Sequence, residues 1–382
     1  MTVEYKVAVI GCTGRGDYGH DLDIAWFDIP NASVVAVADE DKDGLAAAVE
    51  RLNLTSGYSD YRKMLDVEKP DIVTICSRWV DRHHEMACEA IRRGIHIYME
   101  KPFCRTPAEA DEIIALCERH NVKCIVSHPT RFSPLIATIR DLIDQGAIGR
   151  VLEFRGRGKE DMRDGRDRSG AEDLWVLGTH VLDMVQALGG APIWCFANVL
   201  TDGRPATDAD AREGAEGTGQ IIGNTINAMF GMPDQAVAHF SSRQGAGVGH
   251  EPSRYGLQIF GSRGIIELIE GTIPSVKYLG DPSWSPGRSG AEWQDVSSAG
   301  IGIPEPLVSP KYKARHWLAI DELLSAIEED RDPVGSPKEA RIVTDMIFAV
   351  FESHRRRAPV DLPLRSDDRM QDQQVYSQES SR

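Results

Sequence analysis

The feature that most constrains the fold of this chain is a series of short, continuous apolar runs within its first 130 residues. The runs cover residues 6–10, 34–38, 71–76, 95–99 and 123–127. Runs of this length, separated by segments with helical spacing, indicate strands buried on both faces, which are typical of a parallel sheet. Between the first two runs, Ile24, Ala25 and Phe27 form an apolar stripe that predicts a helix. The sequence therefore predicts an α/β fold that begins with a doubly wound parallel sheet.

The alternation of strands and helices ends near residue 130. Beyond it, strand-like stretches outnumber helical ones, at residues 151–157, 194–200, 236–241 and 257–260. We expect residues 1–130 to form one domain and residues 131–365 a second α/β domain with an open mixed or antiparallel sheet. Apolar residues spaced by three and four predict two amphipathic helices, at residues 317–327 and 343–351. Residues 366–382 are polar and aperiodic, so we expect a disordered tail.

Composition narrows the class of protein. A length of 382 residues agrees with two domains. The net charge of −16, from 43 basic and 59 acidic residues, argues against a nucleic-acid partner. No apolar run approaches the ~18 residues of a membrane span, and the start of the chain lacks the pattern of a secretory signal, so we expect a cytoplasmic protein without a membrane partner. Seven cysteines with neither CxxC nor zinc-site spacing predict reduced thiols and no metal site.

A glycine-rich loop follows the first strand directly. It reads Gly11-Cys12-Thr13-Gly14-Arg15-Gly16. Between a strand and a helix, such a loop predicts a dinucleotide site, because glycines let the backbone approach a pyrophosphate at the start of the helix. The loop departs from G-x-G-x-x-G, since Thr13 stands at the second glycine and Asp17 adds a negative charge nearby. A tight turn between strand and helix is the alternative interpretation.

Asp39 ends the second strand, 23 residues beyond Gly16. A carboxylate at this position accepts hydrogen bonds from both hydroxyls of an adenosine ribose and repels a 2′-phosphate. The neighbouring Glu40 and Asp41 add to that repulsion, so the sequence predicts NAD rather than NADP as the cofactor. A turn residue that caps the following helix is the alternative role for Asp39.

Further motifs follow in a distinctive order. A strand leads to His83, and Glu100-Lys101-Pro102 begins seventeen residues later. Other matches lie at residues 131–134, 146–149, 174–183 and 353–363. In order and spacing, these motifs resemble the glucose-fructose oxidoreductase, inositol dehydrogenase and MocA (Gfo/Idh/MocA) family over residues 5–364.

The resemblance implies a Rossmann domain followed by an α/β domain whose open sheet often forms an oligomer interface, so that a homodimer or homotetramer is expected. It implies a final helix, at about residues 337–356, that returns to the first domain. It also implies hydride transfer between nicotinamide and a carbon of a sugar or cyclitol. The residues assigned to the cofactor are Gly11, Thr13, Gly14, Arg15, Gly16, Asp39, Ser77, Trp79, His83, Glu100 and Lys101.

Lys101 and His180 are the expected catalytic residues. Lys101 follows a parallel strand at its carboxyl end, where ligands of doubly wound folds bind, and the resemblance implies contact with the substrate hydroxyl and the nicotinamide ribose. By the same resemblance His180 is the general acid/base, although a helix histidine capped by Asp183 is the alternative. Val176 stands where family dehydrogenases usually have an aspartate, four residues before the histidine, which puts the usual Asp-His proton relay in doubt.

A basic run lies upstream of His180. Arg155, Arg157 and Lys159 alternate along a strand, so they share a face and could converge on an anionic substrate. Interleaved acidic residues make a solvated, salt-bridged loop the alternative. Trp175 and Trp79 offer sugar-stacking faces or are part of the core. The residues assigned to the substrate are His128, Arg131, Arg155, Arg157, Lys159, Trp175 and Asp183.

Three functions remain open on the sequence alone. The first is an NAD-dependent dehydrogenase of a sugar, glycoside or cyclitol. The second is an NAD-dependent glycosidase that oxidises a ring hydroxyl transiently and eliminates the aglycone, for example from an anionic sugar such as sulfoquinovose, with Tyr255 or His128 as the candidate base. The third is a cofactor-binding regulator without catalysis.

Overall fold

The computed structural model describes residues 4–160, 168–245 and 255–364. The chain divides into two compact units. Unit 1 comprises Met1–Phe132, Ala215–Thr218 and Ser309–Arg341, and unit 2 comprises Ser133–Gly214, Gly219–Val308 and Ile342–Arg382. The expected disordered tail, residues 366–382, lies outside the described residues.

The helices and strands are numbered along the chain. The α-helices are α1 (Lys42–Arg51), α2 (Tyr61–Glu68), α3 (His83–Ile91), α4 (Pro107–His120), α5 (Pro134–Asp144), α6 (Ala171–Asp173), α7 (Thr179–Gly189), α8 (Pro286–Ser289), α9 (Trp317–Glu328) and α10 (Pro337–Arg356). The strands are β1 (Tyr5–Ile10), β2 (Ala32–Ala38), β3 (Ile72–Ile75), β4 (His96–Met99), β5 (Cys124–Val126), β6 (Val151–Arg157), β7 (Trp194–Thr201), β8 (Arg204–Pro205), β9 (Arg212–Glu213), β10 (Gln220–Ile221), β11 (Thr225–Gly231), β12 (Val237–Arg243), β13 (Gly256–Gly261), β14 (Gly264–Ile269), β15 (Ser275–Leu279), β16 (Gln294–Ser297), β17 (Gly300–Ile301) and β18 (Val360–Asp361).

Unit 1 is built on a five-stranded sheet in the order β2-β1-β3-β4-β5, and every neighbouring pair is parallel. Both faces of the sheet are buried: Ala8 and Ile10 pack into one apolar cluster, with residues of α2, α3 and α4, whereas Val7 and Val9 pack into another, with residues of α1 and α9. This double burial explains why the strands are continuously apolar. The predicted Rossmann sheet is confirmed.

The prediction of a helix directly after the glycine-rich loop is wrong. The chain instead forms a short 3-10 turn, Gly19–Asp21, with His20 in the left-handed region at φ 51°, and continues in hydrogen-bonded turns. The sequence there is rich in glycine and aspartate, which are poor helix formers. Of the predicted apolar stripe, Ile24 and Ala25 are half-buried and Phe27 is 51% exposed, whereas the neighbouring Leu22 and Trp26 are buried in unit 1. The predicted stripe therefore indicated neither the helix nor which side chains are buried.

Unit 2 contains an eleven-stranded sheet in the order β17-β16-β15-β14-β13-β6-β12-β11-β7-β18, with β8 paired to β7. Only β6 and β12 run parallel among its pairs of described strands, so the mixed sheet predicted for the second domain is confirmed. One face packs against α7: Phe154 is buried, and a Cβ on Gly156 would lie 2.5 Å from Cγ1 of Val181.

The last two long helices belong mainly to different units. Ala319, Ile320 and Leu323 of α9 lie in the unit 1 core. In α10 only the first turn, up to Arg341, belongs to unit 1, and its later apolar residues, including Met346, pack in the unit 2 core. The segment that returns to the first unit is therefore Ser309–Arg341. Among the described residues, no helix combines the length and apolar character that crossing a bilayer requires.

Candidate active site

The glycine-rich loop packs directly against the loop that follows β3. Gly16 has φ +93°, and a Cβ on it would lie 2.5 Å from the backbone nitrogen of Arg78. Only glycine satisfies both conditions, because a side chain there would be strained and would also strike backbone. The backbone N–H of Gly14 donates to Oδ1 of Asp17 at 2.9 Å, so the acidic residue that departs from the fingerprint shapes the loop.

Asp39 binds the glycine-rich loop through Thr13. Its carboxylate is 3% exposed. Oδ2 accepts hydrogen bonds from the backbone N–H of Thr13 at 3.1 Å and from its Oγ1 at 2.7 Å, and Oδ1 accepts from the N–H of Asp41 at 3.0 Å. Thr13, which replaces the second glycine, thus supplies a hydroxyl that glycine lacks. The carboxylate predicted to meet the ribose also holds the loop in place.

A small cleft lies at the carboxyl ends of β1 and β2. Its lining residues are Ile10, Gly11, Ala38, Asp39, Glu40, Ser59, Tyr61, Arg82 and Met86. Nη1 of Arg82 lies 2.9 Å from Oε1 of Glu40, so the guanidinium that a 2′-phosphate would seek is already paired. The adenosine ribose of NAD could be held here by the carboxylate of Asp39, with that of Glu40 beside it.

Ser77 and Trp79 meet Arg15 at the same edge of the sheet. Oγ of Ser77 donates to the backbone oxygen of Arg15 at 2.8 Å and accepts from the N–H of Trp79 at 3.1 Å. The Arg15 guanidinium stacks 4.7 Å above the Trp79 ring and pairs with Asp81. The structure therefore brings these three predicted cofactor residues together, and Arg15 covers one face of the Trp79 ring.

His83 connects the loops after β3 and β4. The imidazole is fully buried, with Nδ1 2.8 Å from the carbonyl oxygen of Pro102 and Nε2 2.7 Å from that of Ser77. A neutral imidazole has one N–H and donates to one of these carbonyls at a time. His83 therefore fixes the position of the Lys101-Pro102 segment relative to the Ser77 loop.

Glu100 anchors Lys101. Oε1 lies 2.6 Å from Nδ1 of His20, and Oε2 accepts the backbone N–H of Lys101 at 2.9 Å. Burial alone raises the pKa of this carboxyl, but the charges of His20 and Lys101 and the hydrogen bond from His20 outweigh it and lower the pKa to about 2. Glu100 is thus an ionised group beside a lysine that is itself only 2% exposed.

His316 is a site residue that sequence reasoning missed. Its Nε2 donates to the backbone oxygen of His20 at 2.7 Å, and its Nδ1 accepts from the hydroxyl of Tyr98 at 2.7 Å. Burial lowers the pKa of His316 to about 4, so the ring is neutral at pH 7. His316 is 296 residues from His20 in sequence, and no local pattern links the two.

His128 and Arg131 follow β5. His128 is 2% exposed. The Arg131 side chain is fully buried, and its Nη1 lies 2.8 Å from Oε1 of Glu339, whose Oε2 accepts the N–H of Gly335 at 2.6 Å. The structure thus gives Arg131 a structural partner in the returning segment, which accounts for its burial without a substrate.

In unit 2, His180 lies in the first turn of α7 and is 8% exposed. A π-helical turn, Leu174–Gly178, directly precedes this helix and contains Val176, and such turns are frequent at functional sites. The ring of Tyr255 meets His180 edge-on at 6.4 Å between centroids, and its hydroxyl donates to the backbone oxygen of Leu177 at 2.9 Å. Tyr255 therefore supports the π-helical turn. Asp183, one turn beyond His180, is 1% exposed.

Asp173 is a second residue that sequence reasoning missed. Oδ2 accepts the hydroxyl of Ser242 at 2.6 Å and the N–H of Glu160 at 3.2 Å, and Oδ1 accepts the N–H of Lys159 at 3.2 Å. Burial raises the pKa of Asp173 to about 7, although these hydrogen bonds act in the opposite direction. The carboxyl positions the loop that bears Lys159. A polar residue within the largely apolar stretch before His180 was its only sequence signal.

Arg155 and Arg157 do not share a face with His180. Phe154 and Gly156 point toward α7, so the alternating Arg155 and Arg157 point to the opposite, exposed face of the sheet. There Arg155 pairs with Glu153 at 2.6 Å and stacks on the Phe260 ring. Arg155 and Arg157 share a face, as predicted, but that face is opposite the one that packs against α7, the helix that bears His180.

Trp175 belongs to the unit 2 core rather than to an open surface. It is 5% exposed and meets Phe348 edge-on, with ring centroids 5.8 Å apart. Lys159 is partly exposed and lies two residues beyond the end of β6, not on the strand as predicted. Of the predicted substrate residues in unit 2, Asp183 is therefore the one that lies on the helix of His180.

A parallel sheet with a glycine-rich loop after β1, a carboxylate at the end of β2 and a buried lysine after β4 defines a dinucleotide-dependent oxidoreductase domain. Residues 5–128 match the family described as "Oxidoreductase family, NAD-binding Rossmann fold", and residues 136–267 match the "GFO/IDH/MocA C-terminal domain". The chain therefore belongs to the Gfo/Idh/MocA family, and its cofactor is NAD.

Three curated relatives of this chain are named as dehydrogenases. D-apiose dehydrogenase of Paraburkholderia graminis is 31% identical over 191 residues, covering 49% of this chain and 50% of the relative. Levoglucosan dehydrogenase of Pseudarthrobacter phenanthrenivorans is 31% identical over 200 residues, covering 47% and 51%. These matches span about half of each relative. The scyllo-inositol 2-dehydrogenase (NAD(+)) of Bacillus subtilis is 22% identical, covering 96% and 98%.

Solved structures share the fold. A levoglucosan dehydrogenase in complex with NADH and L-sorbose has a TM-score of 0.74 at 22% identity, covering 95% of this chain and 100% of that one. An oxidoreductase from Agrobacterium radiobacter in complex with NAD+, L-tartaric acid and magnesium has a TM-score of 0.70 at 20% identity, covering 94% and 98%. At these identities the likeness establishes the fold.

Proposed function

We propose that this protein is an NAD-dependent dehydrogenase that oxidises a hydroxyl group of a sugar, glycoside or cyclitol. The observation that carries the proposal is the position of Lys101, buried after β4 and held through its backbone by the ionised Glu100. Ligands of doubly wound folds bind at this end of the strands. The names of the relatives, which specify apiose, levoglucosan and scyllo-inositol, support a polyhydroxylated substrate.

Oxidation of an alcohol removes a hydride and a proton from the substrate. NAD, when bound, accepts the hydride. We assign the movement of the hydroxyl proton to Nζ of Lys101 and the general acid/base role to the imidazole of His180. With Val176 at the position of the family aspartate, Asp183 is the carboxylate proposed to hold His180 or a substrate hydroxyl.

The glycosidase alternative needs a base that removes a C–H proton after transient oxidation. The hydroxyl of Tyr255 donates its proton to the backbone oxygen of Leu177, an arrangement that favours support of the π-helical turn over base catalysis. His128 remains the other candidate. Because Arg155 and Arg157 lie on the exposed sheet face, they lend no support to an anionic substrate.

We further propose that the enzyme is a homodimer or homotetramer assembled through the exposed face of the unit 2 sheet. Phe196 on β7 is 42% exposed there and pairs with Met229 on β11. Light scattering of the purified protein measures its oligomeric state, and Phe196→Glu should lower the measured mass if this face is the interface.

The seven free cysteines suit the reducing cytoplasm, where we place the enzyme.

The test of function is to incubate the protein and NAD with neutral, carboxylated and sulfonated aryl glycosides and the matching free sugars. NADH absorbance and aglycone release are recorded together. NADH formed in proportion to sugar consumed, without aglycone, supports the dehydrogenase. NAD-dependent aglycone release without stoichiometric NADH establishes the glycosidase, and NAD binding with neither signal across the panel supports the non-catalytic regulator.

A further inference from the structure

A mixed cluster of nitrogen, sulfur and oxygen donors lies on unit 1, formed by side chains of α3 and α4 to which no role has been assigned. His84 and Cys88 are four residues apart on α3 and therefore lie on the same side of that helix. Glu112 comes from the neighbouring α4. A ring nitrogen of His84, Sγ of Cys88 and a carboxylate oxygen of Glu112 all lie within 4.8 Å of one another.

The separation of His84 and Glu112 suits a small divalent cation, and Sγ of Cys88 lies within 4.8 Å of a ligand atom of each. Zn²⁺ binds Cys sulfur at about 2.3 Å and His nitrogen or carboxylate oxygen at about 2.0–2.2 Å, so ligand atoms in a tetrahedral site are roughly 3.3–3.8 Å apart. Nε2 of His84 already lies 3.0 Å from Oε2 of Glu112. A cation between them would widen this separation by only a few tenths of an ångström, replacing one hydrogen bond with two ligand bonds.

The surroundings hold the ligands in position and leave a route from solvent. The side chains of His84 and Glu112 are 28% and 48% exposed, whereas Cys88 is 2% exposed beneath them. Nη2 of Arg92 donates to the other carboxylate oxygen of Glu112 at 3.2 Å, which orients the carboxylate as an outer-shell partner does in metal sites. The arginine charge opposes a cation, and Glu112 and the Cys88 thiolate supply two negative charges that offset it.

We propose that His84, Cys88 and Glu112 form a site for a Zn²⁺-type divalent transition metal, with water as the fourth ligand. A thiolate and an imidazole select such metals over Mg²⁺ and Ca²⁺, which prefer all-oxygen sites. On binding, the Cys88 thiol releases its proton to solvent and Sγ bonds to the metal. Sequence spacing does not reveal the site, because Glu112 lies 24 residues beyond Cys88 on another helix. The proposal is independent of the proposed dehydrogenase activity.

The test is a Zn²⁺ titration of the chelator-stripped full chain against a chromogenic chelator, with Co²⁺ absorption as a second readout. We expect one tight equivalent and a thiolate-to-Co²⁺ charge-transfer band. Cys88→Ser should abolish the band. His84→Gln and Glu112→Gln, on the exposed rim where folding is least at risk, should each weaken Zn²⁺ binding by about 100-fold or more, beyond the roughly 10–100-fold cost of losing an outer-shell partner.

The matched control is His120→Gln, which changes an exposed histidine at the end of α4. It should retain the affinity and the Co²⁺ band of the parent. The proposal is overturned if the parent binds no Zn²⁺ at micromolar concentration, if Cys88→Ser keeps the charge-transfer band, or if neither rim variant binds more weakly than the control.

Discussion

The imidazole of His316 donates to the backbone oxygen of His20, 2.7 Å away, and His20 in turn contacts Glu100. The returning segment thus supports the glycine-rich region at the point where a regular helix is absent. Each link is buried or half-buried. The carboxylate beside Lys101 therefore depends on a residue from the other end of the chain.

We expect this link to make stability pH-dependent. The folded pKa of His316, about 4, lies below its ordinary value of 6.5. The folded state thus binds fewer protons than the unfolded state. The stability that the neutral His316 contributes is therefore fully present above about pH 6.5 and is lost as the pH falls toward 4. His316→Gln, which keeps a donor and an acceptor, should flatten that dependence in urea unfolding between pH 4 and 7. His316→Ala should cost about 2–4 kcal/mol at pH 7. An unchanged pH profile in the glutamine variant would contradict the assignment.

Asp173 should change the stability of the protein with pH in the opposite direction to His316. Its folded pKa of about 7 lies above the ordinary value of 3.8, so the folded state binds more protons and stability falls as the pH rises from about 4 to about 7. Asp173→Asn keeps an acceptor for the N–H of Lys159, but its NH2 group cannot accept from Glu160. The variant should therefore be less stable overall, and it should remove this fall with pH. Urea unfolding of parent and variant across that range measures the difference; parallel curves would show that Asp173 does not titrate there.

Lys101→Ala should lower kcat by roughly 10²-fold or more while NAD remains bound, as expected for the loss of a positioned proton-transfer group. Steady-state kinetics and an NAD titration separate the two effects. Lys63→Ala, which changes an exposed lysine on α2, is the control and should retain activity. Equal kcat values for Lys101→Ala and the parent would remove Lys101 from the mechanism.

Asp39→Ala should weaken NAD binding by about tenfold or more, because hydrogen bonds to charged groups contribute about 1.5–3 kcal/mol, and should reduce discrimination against NADP. Glu40→Gln should raise NADP affinity selectively, since it weakens the pairing that occupies Arg82. Calorimetric titrations with both dinucleotides measure these changes. Asp43→Asn, on the exposed start of α1, is the control. Parent-like NAD affinity in Asp39→Ala would refute the ribose assignment.

Arg155→Ala should leave KM for neutral and anionic substrates equally unaffected, because Arg155 lies on the sheet face opposite α7. The kinetic comparison uses a carboxylated sugar and its neutral counterpart. A rise in KM confined to the carboxylated sugar would restore Arg155 as a substrate residue.

The residues that sequence reasoning located belong to local motifs. The glycine-rich loop, Asp39 and Lys101 each lie at the end of an apolar strand, and a parallel sheet brings such ends to one edge. Asp173 is hydrogen-bonded to Ser242, 69 residues away in sequence, and His316 to His20, 296 residues away. No local sequence pattern could predict either pair. Alternation in β6 showed that Arg155 and Arg157 share a face, but it could not show which face meets α7.

The hydrogen bonds from Thr13 to Asp39 have a consequence for the energetics of cofactor capture. They order the glycine-rich loop through the protein's own side chains, with Oγ1 of Thr13 2.7 Å from the carboxylate. Part of the conformational entropy that a mobile loop would lose on binding NAD is therefore lost during folding instead. NAD thus meets a preorganised loop, and its association should be limited by diffusion and desolvation more than by loop rearrangement.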